Sequence, residues 1–448
     1  MIDPEIFRSY DVRGIYPEQI NEDAAYLIGK FFVNYIKAKE LIVGRDMRLS
    51  SPAIFKSLCL GITEAGCNVC DLGEVPTEMI YFAVGRNGYD GGIMITASHN
   101  PKEYNGLKLI KKEGDNFSIV RGSEIYGQIK DNNILSSQAK GKIKKIDLMR
   151  DYVDYISSFF NVKGIKPFKI VVDAGNGMAA KMIPLVGKKI PVKIIPLNFK
   201  ADGSFPNHPS NPLEEGAVLQ LSKKIIEEKA DFGFIFDGDA DRIFLLDEKG
   251  ALVKSDVTIL LIAKYFIKKY PTAGIVYNTI CSKAVSELVE KWGGKTAKSK
   301  VGFVNVREKV IENNAMMGGE LSGHYCFKDN FYGDSSLMAL FILLLTISET
   351  EKKISELSKE LTLYAKASEI NFKIQNKDLI LNKIKEKYSS GRQEYLDGIS
   401  VEYDDWCFNL RPSNTEPLLR LTIEADNERL LEEKKKEIED FIGNIKGA

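Results

Sequence analysis

Three stretches of the chain share one pattern, in which a short apolar strand runs into a turn of small or polar residues and helical periodicity follows. These stretches are 41–46 (LIVGRD), 170–177 (IVVDAGNG) and 275–279 (IVYNT). Each is followed further on by a second apolar or glycine-rich segment that ends in a polar loop, at 96–100, 237–242 and 318–324. Strands that alternate with helices form parallel or mixed sheets, and functional loops gather at the carboxyl ends of those strands. The pattern therefore predicts one α/β unit used three times.

The last part of the chain breaks this pattern. After about residue 367 a Lys-rich helix is followed by alternating strands through 406–410 and 418–423 and by a charged helix over 427–445. A chain of 448 residues is also too long for a single core. We therefore expect an α/β protein with three similar α/β domains with mixed sheets and a C-terminal α+β domain, arranged around a central cleft. The expected domains are 1–145, 146–251, 252–366 and 367–448.

Charge and hydropathy exclude several classes of partner. Lys plus Arg and Asp plus Glu both number 62, so the formal net charge is zero, which argues against nucleic-acid and membrane partners. The longest apolar run, 337–347, is about half of a membrane helix and predicts a buried one. The N-terminus lacks a basic region before an apolar stretch, so we expect a cytoplasmic protein without a signal peptide.

The Cys67-x-x-Cys70 pair has no second pair or nearby His, which favours two cysteines in a strand over a redox or zinc site.

The segment 237–242 (DGDADR) places three carboxylates at alternate positions. Oxygen ligands of this kind suit Mg²⁺ or Ca²⁺. A calcium loop would put Glu248 at its last ligand position, but Arg242 stands where that loop needs glycine and both flanks read as strands. A solvated acidic hairpin tip is the other alternative. Because Mg²⁺ keeps positions open for phosphate oxygens, the loop predicts a phosphate ligand nearby.

The segment 96–101 (TASHNP) sets the Ser98 hydroxyl beside the His99 imidazole, after a predicted strand over 91–95. Such a pair is compatible with a purely structural loop. No acidic residue that would orient His99 in a hydrolase-type pair emerges from the sequence. The metal loop favours another role, in which Ser98 carries phosphate.

Two further loops are rich in hydrogen-bonding groups. The segment 318–324 (GGELSGH) offers an acceptor, a hydroxyl and an imidazole, which suits sugar hydroxyls. The segment 411–417 (RPSNTEP), followed by Arg420, joins guanidinium groups to hydroxyls and loop N–H groups, which is how proteins hold a phosphate dianion. A turn with an Asn or Ser cap is the alternative for this last loop.

With these four loops in this order, the chain resembles the α-D-phosphohexomutases, the phosphomannomutase/phosphoglucomutase family, over essentially its whole length. The motifs are similar to that family's phosphoserine loop (TASHNP), metal loop (DGDADR), sugar loop (GELSGH) and phosphate loop (RPSNTEP). The resemblance thus implies, in chain order, a phosphoserine-loop domain, a metal-binding domain, a sugar-binding domain and a phosphate-binding C-terminal domain.

The resemblance also implies roles for individual residues. Ser98 would be phosphorylated at rest, and one of its phosphoryl oxygens would hold Mg²⁺ together with the metal ligands Asp237, Asp239 and Asp241. The segments 7–14 and 103–108 resemble those that bring Arg13 and Lys108 to the catalytic centre. Either His99 or Lys108 would manage the proton of the sugar hydroxyl. The implied substrate-binding residues are Arg242, Lys300, Gly302, Glu320, Ser322, His324, Arg411, Ser413, Asn414, Thr415 and Arg420.

The implied reaction interconverts hexose 1-phosphate and hexose 6-phosphate, with mannose or glucose as the sugar. The phosphoserine makes a hexose 1,6-bisphosphate, which turns over and returns its other phosphate to Ser98. Mg²⁺ would be the cofactor and a hexose 1,6-bisphosphate the activator. Small-molecule sugar phosphates would be the partners of a monomer or dimer whose C-terminal domain hinges near residue 367.

One position departs from the family pattern. In Lys300-Val301-Gly302-Phe303, phenylalanine replaces the histidine of the mannose/glucose type, whereas Leu321 and Asn414 depart from the phosphoglucosamine mutases. The sequence therefore favours a phosphomannomutase with phosphoglucomutase activity. The alternatives are a phosphoglucosamine mutase, a Mg²⁺-dependent sugar-phosphate phosphatase and a sugar-phosphate sensor that has lost turnover.

Overall fold

The structure, a computed structural model, describes residues 2–131, 139–374, 376–413 and 418–446. Internal contacts divide the chain into two compact units. The first unit comprises Met1–Val253 and Ser322–Ser355, and the second comprises Lys254–Leu321 and Glu356–Ala448.

The first part of the first unit is a mixed sheet with helices. Its elements are β1 Val12–Ile15, α1 Glu22–Ile36, β2 Glu40–Arg45, α2 Ser51–Glu64, β3 Asn68–Glu74, α3 Glu78–Asn87, β4 Gly91–Ile95, β5 Tyr104–Glu113, β6 Asn116–Val120, α4 Gly122–Asp131 and β7 Ile143–Lys145. The strand order is β1-β5-β4-β2-β3-β7, with β6 beside β5. Strands β4, β2, β3 and β7 are parallel, whereas β5 runs antiparallel to β4 and β1. The carboxyl ends of β2 and β4 therefore lie side by side.

Local sequence explains why α1 and α2 form and pack together. Asn21 caps α1, because its side-chain oxygen accepts a hydrogen bond from the Ala24 amide at 3.0 Å. Gly61 allows close approach of the two helices, since a Cβ there would lie 2.1 Å from the carbonyl oxygen of Tyr26. Apolar side chains of both helices join the core beneath the sheet. Cys67 and Cys70 are buried, and each of the six cysteines is a free thiol.

The second part of the first unit is a smaller mixed sheet. Its elements are α5 Met149–Ser158, β8 Lys169–Asp173, α6 Ala179–Gly187, β9 Lys193–Leu197, α7 Leu219–Glu228, β10 Phe232–Phe236 and β11 Ile243–Leu246. The strand order is β11-β10-β8-β9, with β10, β8 and β9 parallel and β11 antiparallel to β10. The predicted strands on both sides of the Asp loop are thus present. They place that loop at the tip of a hairpin.

The second unit begins with strands that all run parallel. Its elements here are α8 Ser255–Lys269, β12 Gly274–Asn278, α9 Lys283–Lys291, β13 Lys295–Ser299, α10 Phe303–Glu312 and β14 Met317–Gly319. Strand β12 lies between β13 and β14 and is parallel to both. The loops after β12, β13 and β14 therefore leave the same edge.

The chain then returns to the first unit. The elements of this return are β15 Tyr325–Phe327, β16 Gly333–Asp334 and α11 Ser336–Ser348. The predicted buried helix is α11, whose apolar residues are buried on all sides except at the half-buried Leu345. Ser335 caps it by accepting a hydrogen bond from the Met338 amide at 3.0 Å. Across the described residues, none of the helices combines the length and apolarity required to traverse a bilayer.

The C-terminal part of the second unit is an antiparallel sheet with helices on one face. The remaining elements of the chain are α12 Ile354–Leu361, β17 Ala365–Lys366, β18 Ile370–Lys373, α13 Lys377–Lys387, β19 Arg392–Glu394, β20 Ile399–Glu402, β21 Trp406–Pro412, β22 Leu418–Ala425 and α14 Glu428–Lys446. The strand order is β17-β22-β21-β20-β19, with β18 also paired with β22. The helices α13 and α14 pack on an apolar core that the strands share. The predicted fold class, α/β domains with mixed sheets and a C-terminal α+β domain, is confirmed.

Candidate active site

Ser98 lies in the loop that follows β4, at the strand end that the sequence predicts. Ser98 is 2% exposed, and its backbone lies in the left-handed region, with φ of +50°. A residue other than glycine in this region is strained unless its surroundings hold it. The amide of Ser98 donates to the Thr96 hydroxyl at 2.8 Å, and that hydroxyl donates to the Asp46 carboxylate at 2.7 Å. Asp46 follows β2, so the ends of two neighbouring parallel strands fix the loop.

Arg48 holds the same loop in place through hydrogen bonds from its side chain. Its buried guanidinium pairs with the Asp46 carboxylate at 3.1 Å and donates to four backbone carbonyls around Ser98. These carbonyls belong to Ser98 at 2.8 Å, Asn100 at 2.6 Å, Pro101 at 2.6 Å and Tyr104 at 2.9 Å. No sequence motif pointed to Arg48. Asp46 at the end of an apolar strand was the signal that could have directed attention to this turn.

The three aspartates of the predicted metal loop converge at the β10–β11 hairpin tip. One ligand oxygen from each of Asp237, Asp239 and Asp241 lies within 4.8 Å of the other two, and all three residues are buried. Gly238 between them permits contact with the serine loop, because a Cβ there would lie 2.8 Å from the Ser98 carbonyl oxygen. The Oδ1 atoms of Asp239 and Asp241 are buried without a hydrogen-bond partner among the described residues. Buried acceptors of this kind fit a hard cation.

The pKa values of the three carboxyl groups are shifted because the groups are buried close together. Burial, together with repulsion from Asp239 and Asp241, raises the pKa of Asp237 well above its ordinary value. Burial and repulsion from Asp239 also raise the pKa of Asp241. Burial opposes ionisation of Asp239 as well, but Lys108 outweighs it and lowers the pKa of that carboxyl. The cluster therefore favours additional positive charge.

Ser98 and His99 both face this cluster. The Ser98 hydroxyl donates to Asp237 Oδ2 at 2.9 Å. The Nδ1 atom of His99 lies 3.4 Å from Ser98 Oγ. Burial, followed by the charges of Arg242 and Arg13, lowers the pKa of His99 well below its ordinary value. The imidazole is therefore neutral near pH 7.

Two cations from neighbouring strands complete this part of the site. Lys108, on β5, donates to Asp239 at 2.8 Å and to Asp241 at 2.6 Å. Burial lowers the pKa of Lys108, but the two carboxylates outweigh it and raise the value well above the ordinary one. Arg13, on the adjacent β1, donates to Asn100 Oδ1 at 2.5 Å and also pairs with Asp11. The structure therefore brings Arg13, Lys108, Ser98 and the aspartates together within the first unit.

Arg242 and His324 form further polar contacts of this cluster. The Arg242 amide donates to Asp237 Oδ1 at 3.2 Å, and its Nε donates to His324 Nε2 at 3.0 Å. Because His324 Nε2 is an acceptor, its proton lies on Nδ1, which is 3.5 Å from Asp334 Oδ2. Burial, followed by the charges of Arg242 and Lys108, lowers the pKa of His324 well below its ordinary value. Ser322, in the same unit, is half-buried.

Glu320 is the centre of the predicted sugar residues in the second unit. Its buried carboxylate accepts from Asn278 Nδ2 at 3.0 Å and from the Gly302 amide at 2.8 Å. The loops after β12, β13 and β14 thus meet, as the parallel strands require. Lys300 is exposed at the end of β13, and Phe303 begins α10.

Asp397, which no sequence motif marks, joins this cluster to the C-terminal sheet of the same unit. Its carboxylate accepts from the Val301 amide at 2.9 Å, and its carbonyl oxygen accepts from Asn409 on β21 at 2.8 Å. Arg411 lies two residues after Asn409 on β21. Hydrogen bonds through Asp397 therefore link the loop after β13 to the strand that carries Arg411.

The predicted phosphate residues Arg411 and Arg420 lie opposite each other on β21 and β22. Both guanidinium groups bind the carboxylate of Glu369, which no sequence motif marks. The Ser413 amide donates to the Leu418 carbonyl at 2.8 Å. Asn414 and Thr415 lie outside the described residues.

Comparison with known proteins identifies the family of the chain. Four family models match, all of phosphoglucomutase/phosphomannomutase: alpha/beta/alpha domain I over residues 4–134, domain II over 150–250, domain III over 254–364 and the C-terminal domain over 369–441. Together they cover most of the chain. The predicted resemblance is thereby confirmed.

Relatives and solved structures extend the match to whole proteins. The chain is 36% identical to a phosphomannomutase of Vibrio cholerae serotype O1 over 98% of each chain. It is 35% identical to a phosphomannomutase of Methanocaldococcus jannaschii, again over 98% of each. A crystal structure of a phosphoglucomutase/phosphomannomutase family protein from Burkholderia thailandensis superposes with a TM-score of 0.88 at 31% identity, covering 97% of this chain and 96% of that one.

Fold, site and relatives together define an isomerase, an enzyme that moves a phosphoryl group within its substrate. The chain belongs to the phosphoglucomutase/phosphomannomutase family. The expectation of a mutase is confirmed. The cytoplasmic location and the monomeric or dimeric state stay predictions.

Proposed function

We propose that this enzyme interconverts hexose 1-phosphates and hexose 6-phosphates, with mannose and glucose as its sugars, through a phosphoserine at Ser98. The observation that carries the proposal is the position of the Ser98 hydroxyl, 2.9 Å from Asp237 Oδ2 in a buried cluster of three aspartates. A phosphoryl group on Ser98 would place its oxygens beside this cluster, where a cation held by the carboxylates would bind them. A hexose 1,6-bisphosphate is the intermediate and serves as activator.

Mg²⁺ fits the carboxylate cluster, because two buried carboxylate oxygens have no partner among the described residues and the donor set is all oxygen. Asp237, Asp239 and Asp241 would hold it, with one phosphoryl oxygen of Ser98 as a further ligand. When bound, the ion supplies positive charge that offsets the negative charge of the phosphoryl group. The calcium-loop alternative is disfavoured, because the loop lies between strands.

Phosphoryl transfer depends chiefly on positioning and charge stabilisation. In the first half-reaction the bond from phosphorus to Ser98 Oγ breaks, a bond from phosphorus to the sugar oxygen forms, and the sugar hydroxyl proton passes through a base to Ser98 Oγ, which leaves as the neutral hydroxyl. Arg13 and Lys108 provide the nearby cations. We assign the base to His99, since its lowered pKa keeps the imidazole neutral beside Ser98, with one ring nitrogen free of a proton, whereas Lys108 stays protonated between two carboxylates. The second half-reaction reverses these steps with the other phosphate.

The remaining predicted residues have roles in binding. Arg242, Glu320, Ser322 and His324 would contact ring hydroxyls. Lys300 and Gly302, in the loop after β13, would contact the substrate beside them. The non-reacting phosphate would be bound by Arg411, Ser413, Asn414, Thr415 and Arg420. The proposed domains are 1–145 for phosphoserine, 146–251 for metal, 252–366 for sugar and 367–448 for phosphate.

A coupled assay with Mg²⁺ and trace hexose 1,6-bisphosphate tests this proposal. We expect turnover of mannose 1-phosphate and glucose 1-phosphate, and little turnover of glucosamine 1-phosphate. Ser98→Ala should abolish it, whereas the matched change Ser118→Ala, on β6, should not. Release of inorganic phosphate without any 6-phosphate would indicate a phosphatase, and tight binding without conversion would indicate a sensor.

A further inference from the structure

A single carboxylate in the second unit holds two arginines. Arg411 Nη2 donates to Glu369 Oε2 at 2.7 Å, and Arg420 Nη1 donates to Glu369 Oε1 at 3.0 Å. Each carboxylate oxygen thus serves one guanidinium. Arg411 is buried, whereas the Glu369 side chain is 28% exposed. The Arg420 side chain is 26% exposed, so Glu369 and Arg420 are both accessible while Arg411 is not.

The two arginines need a counter-ion because of their register. Arg411 and Arg420 are directly opposite on the antiparallel strands β21 and β22. Side chains so placed have Cβ atoms about 5 Å apart, and like charges at that separation destabilise a sheet. Glu369 offsets the repulsion and fixes the direction of both guanidinium groups.

Glu369 is located where it can move without disturbing the sheet. It belongs to the short connector 367–369 between β17 and β18, both of which pair with β22. On one side, Lys366 is fixed by an ion pair with Asp256 of α8 at 2.9 Å. On the other side, Ile370 begins a strand that is paired with β22. The backbone on both sides of the connector is therefore held, and Glu369 needs only a change of side-chain torsion to withdraw.

We infer that Glu369 is a resident counter-ion that occupies the arginine pair in place of phosphate and lowers its affinity for phosphate. The inference rests on the proposed function, in which Arg411 and Arg420 bind the phosphate that does not react. A phosphate dianion that approaches this pair meets a negative charge already bound to both arginines. It must share the guanidinium groups with the carboxylate or displace it, and either event weakens binding.

This weakening serves the proposed reaction. A bisphosphate intermediate has to present first one phosphate and then the other to Ser98, so each phosphate must leave the arginine pair during turnover. A carboxylate that returns to the arginines as phosphate leaves replaces the lost charge. Without it, the phosphate would be bound more tightly and released more slowly.

A purely positioning role makes the opposite prediction. If Glu369 only orients the arginines, its loss lets them splay apart, and phosphate binds more weakly. The chain offers a matched control in Glu402, whose carboxylate pairs with Arg392 on the same sheet at 2.5 Å in a solvent-exposed position. Neither Glu402 nor Arg392 belongs to the proposed binding residues.

The test is calorimetric titration of the full chain with inorganic phosphate at low ionic strength, for the wild type, Glu369→Gln, Glu369→Asp, Glu402→Gln and Arg411→Met. We expect Glu369→Gln to bind phosphate about tenfold more tightly, the size of effect that a nearby charge has at a partly exposed site. The gain should shrink as salt is added, and KM for the sugar phosphate should fall in parallel. Glu369→Asp, which keeps the charge, and Glu402→Gln should stay close to the wild type.

Weaker or unchanged binding by Glu369→Gln would overturn the inference while leaving the proposed function intact, provided that Arg411→Met loses the phosphate site. If Arg411→Met binds phosphate as the wild type does, the assignment of the phosphate residues fails, and the role of Glu369 fails with it. Circular dichroism of each variant confirms that the fold is retained.

Discussion

Replacing Glu78 by glutamine tests the electrostatics of the core beside the carboxylate cluster. Glu78 is in the first turn of α3 and is fully buried. Burial raises the pKa of Glu78 to about 8, although the Ser335 and Tyr152 hydroxyls partly oppose the rise. Its neighbour Thr77 donates to Asp239 Oδ2 at 2.5 Å. A protonated Glu78 therefore keeps a further negative charge away from the aspartates.

The pKa gives the size and sign of the effect. The acid is protonated in the folded chain up to about pH 8, whereas in the unfolded chain it ionises at about pH 4.5. The contribution of Glu78 to the free energy of unfolding is therefore fully present below about pH 4.5. It is lost as the pH rises to about 8, at about 1.4 kcal/mol per pH unit. At pH 7 the loss is about 3 kcal/mol. Glu78→Gln cannot ionise and removes this dependence.

The assay is hydrogen exchange of the α3 amides at pH 5, 6 and 7, which reports local unfolding in a chain that has more than one domain. The free energy of opening should fall with pH more steeply in the wild type than in Glu78→Gln, by about 1.4 kcal/mol per pH unit. A pH-independent difference in the free energy of opening between the wild type and Glu78→Gln would reflect only how well glutamine fits the site. Such a difference does not change the slope. Glu113→Gln, an exposed site on β5, is the control. Parallel curves for the wild type and Glu78→Gln would refute the reasoning.

Three other substitutions probe the site. Arg48→Lys should lower kcat by about a hundredfold with the fold retained, because an ammonium cannot bind four carbonyls at once and the Ser98 loop shifts; an unchanged kcat would exclude that role. Asp239→Asn should raise the Mg²⁺ concentration for half-maximal activity at least tenfold, and a chelator should abolish wild-type activity; an unshifted Mg²⁺ titration would count against the metal assignment. Gly323→Ala should lower stability by about 1–3 kcal/mol in thermal unfolding, since φ is +83° and the new Cβ would lie 2.6 Å from the Phe244 ring. A Tm equal to the wild type would show that the loop relaxes freely.

The sequence predicted the elements that local pattern determines. Apolar runs with polar ends gave the strands before Ser98 and on both sides of the Asp loop, because strand ends are where such loops occur. The buried helix over Ser336–Ser348 followed from a run too apolar for the surface and too short for a membrane. The residue types in each loop then indicated its chemistry.

Contacts across long stretches of chain could not be predicted in this way. Arg48 reaches carbonyls about fifty residues further along only because β2 and β4 are neighbours. Lys108 contacts aspartates more than a hundred residues away, and nothing in its local sequence reveals them. Glu369 lies in an unremarkable connector, and its role depends on the register of two later strands. Side-chain partners of this kind are set by tertiary packing.

The central claim is that Ser98 lends a phosphoryl group to the substrate and receives one back. The most direct measurement is a chase experiment, in which the protein is labelled with ³²P-hexose 1,6-bisphosphate, freed of ligand and then incubated with unlabelled mannose 1-phosphate. We expect peptide mapping to place the label on Ser98, and the chase to move it into mannose 1,6-bisphosphate and then into mannose 6-phosphate. Label on another residue, or label released only as inorganic phosphate, would contradict the account.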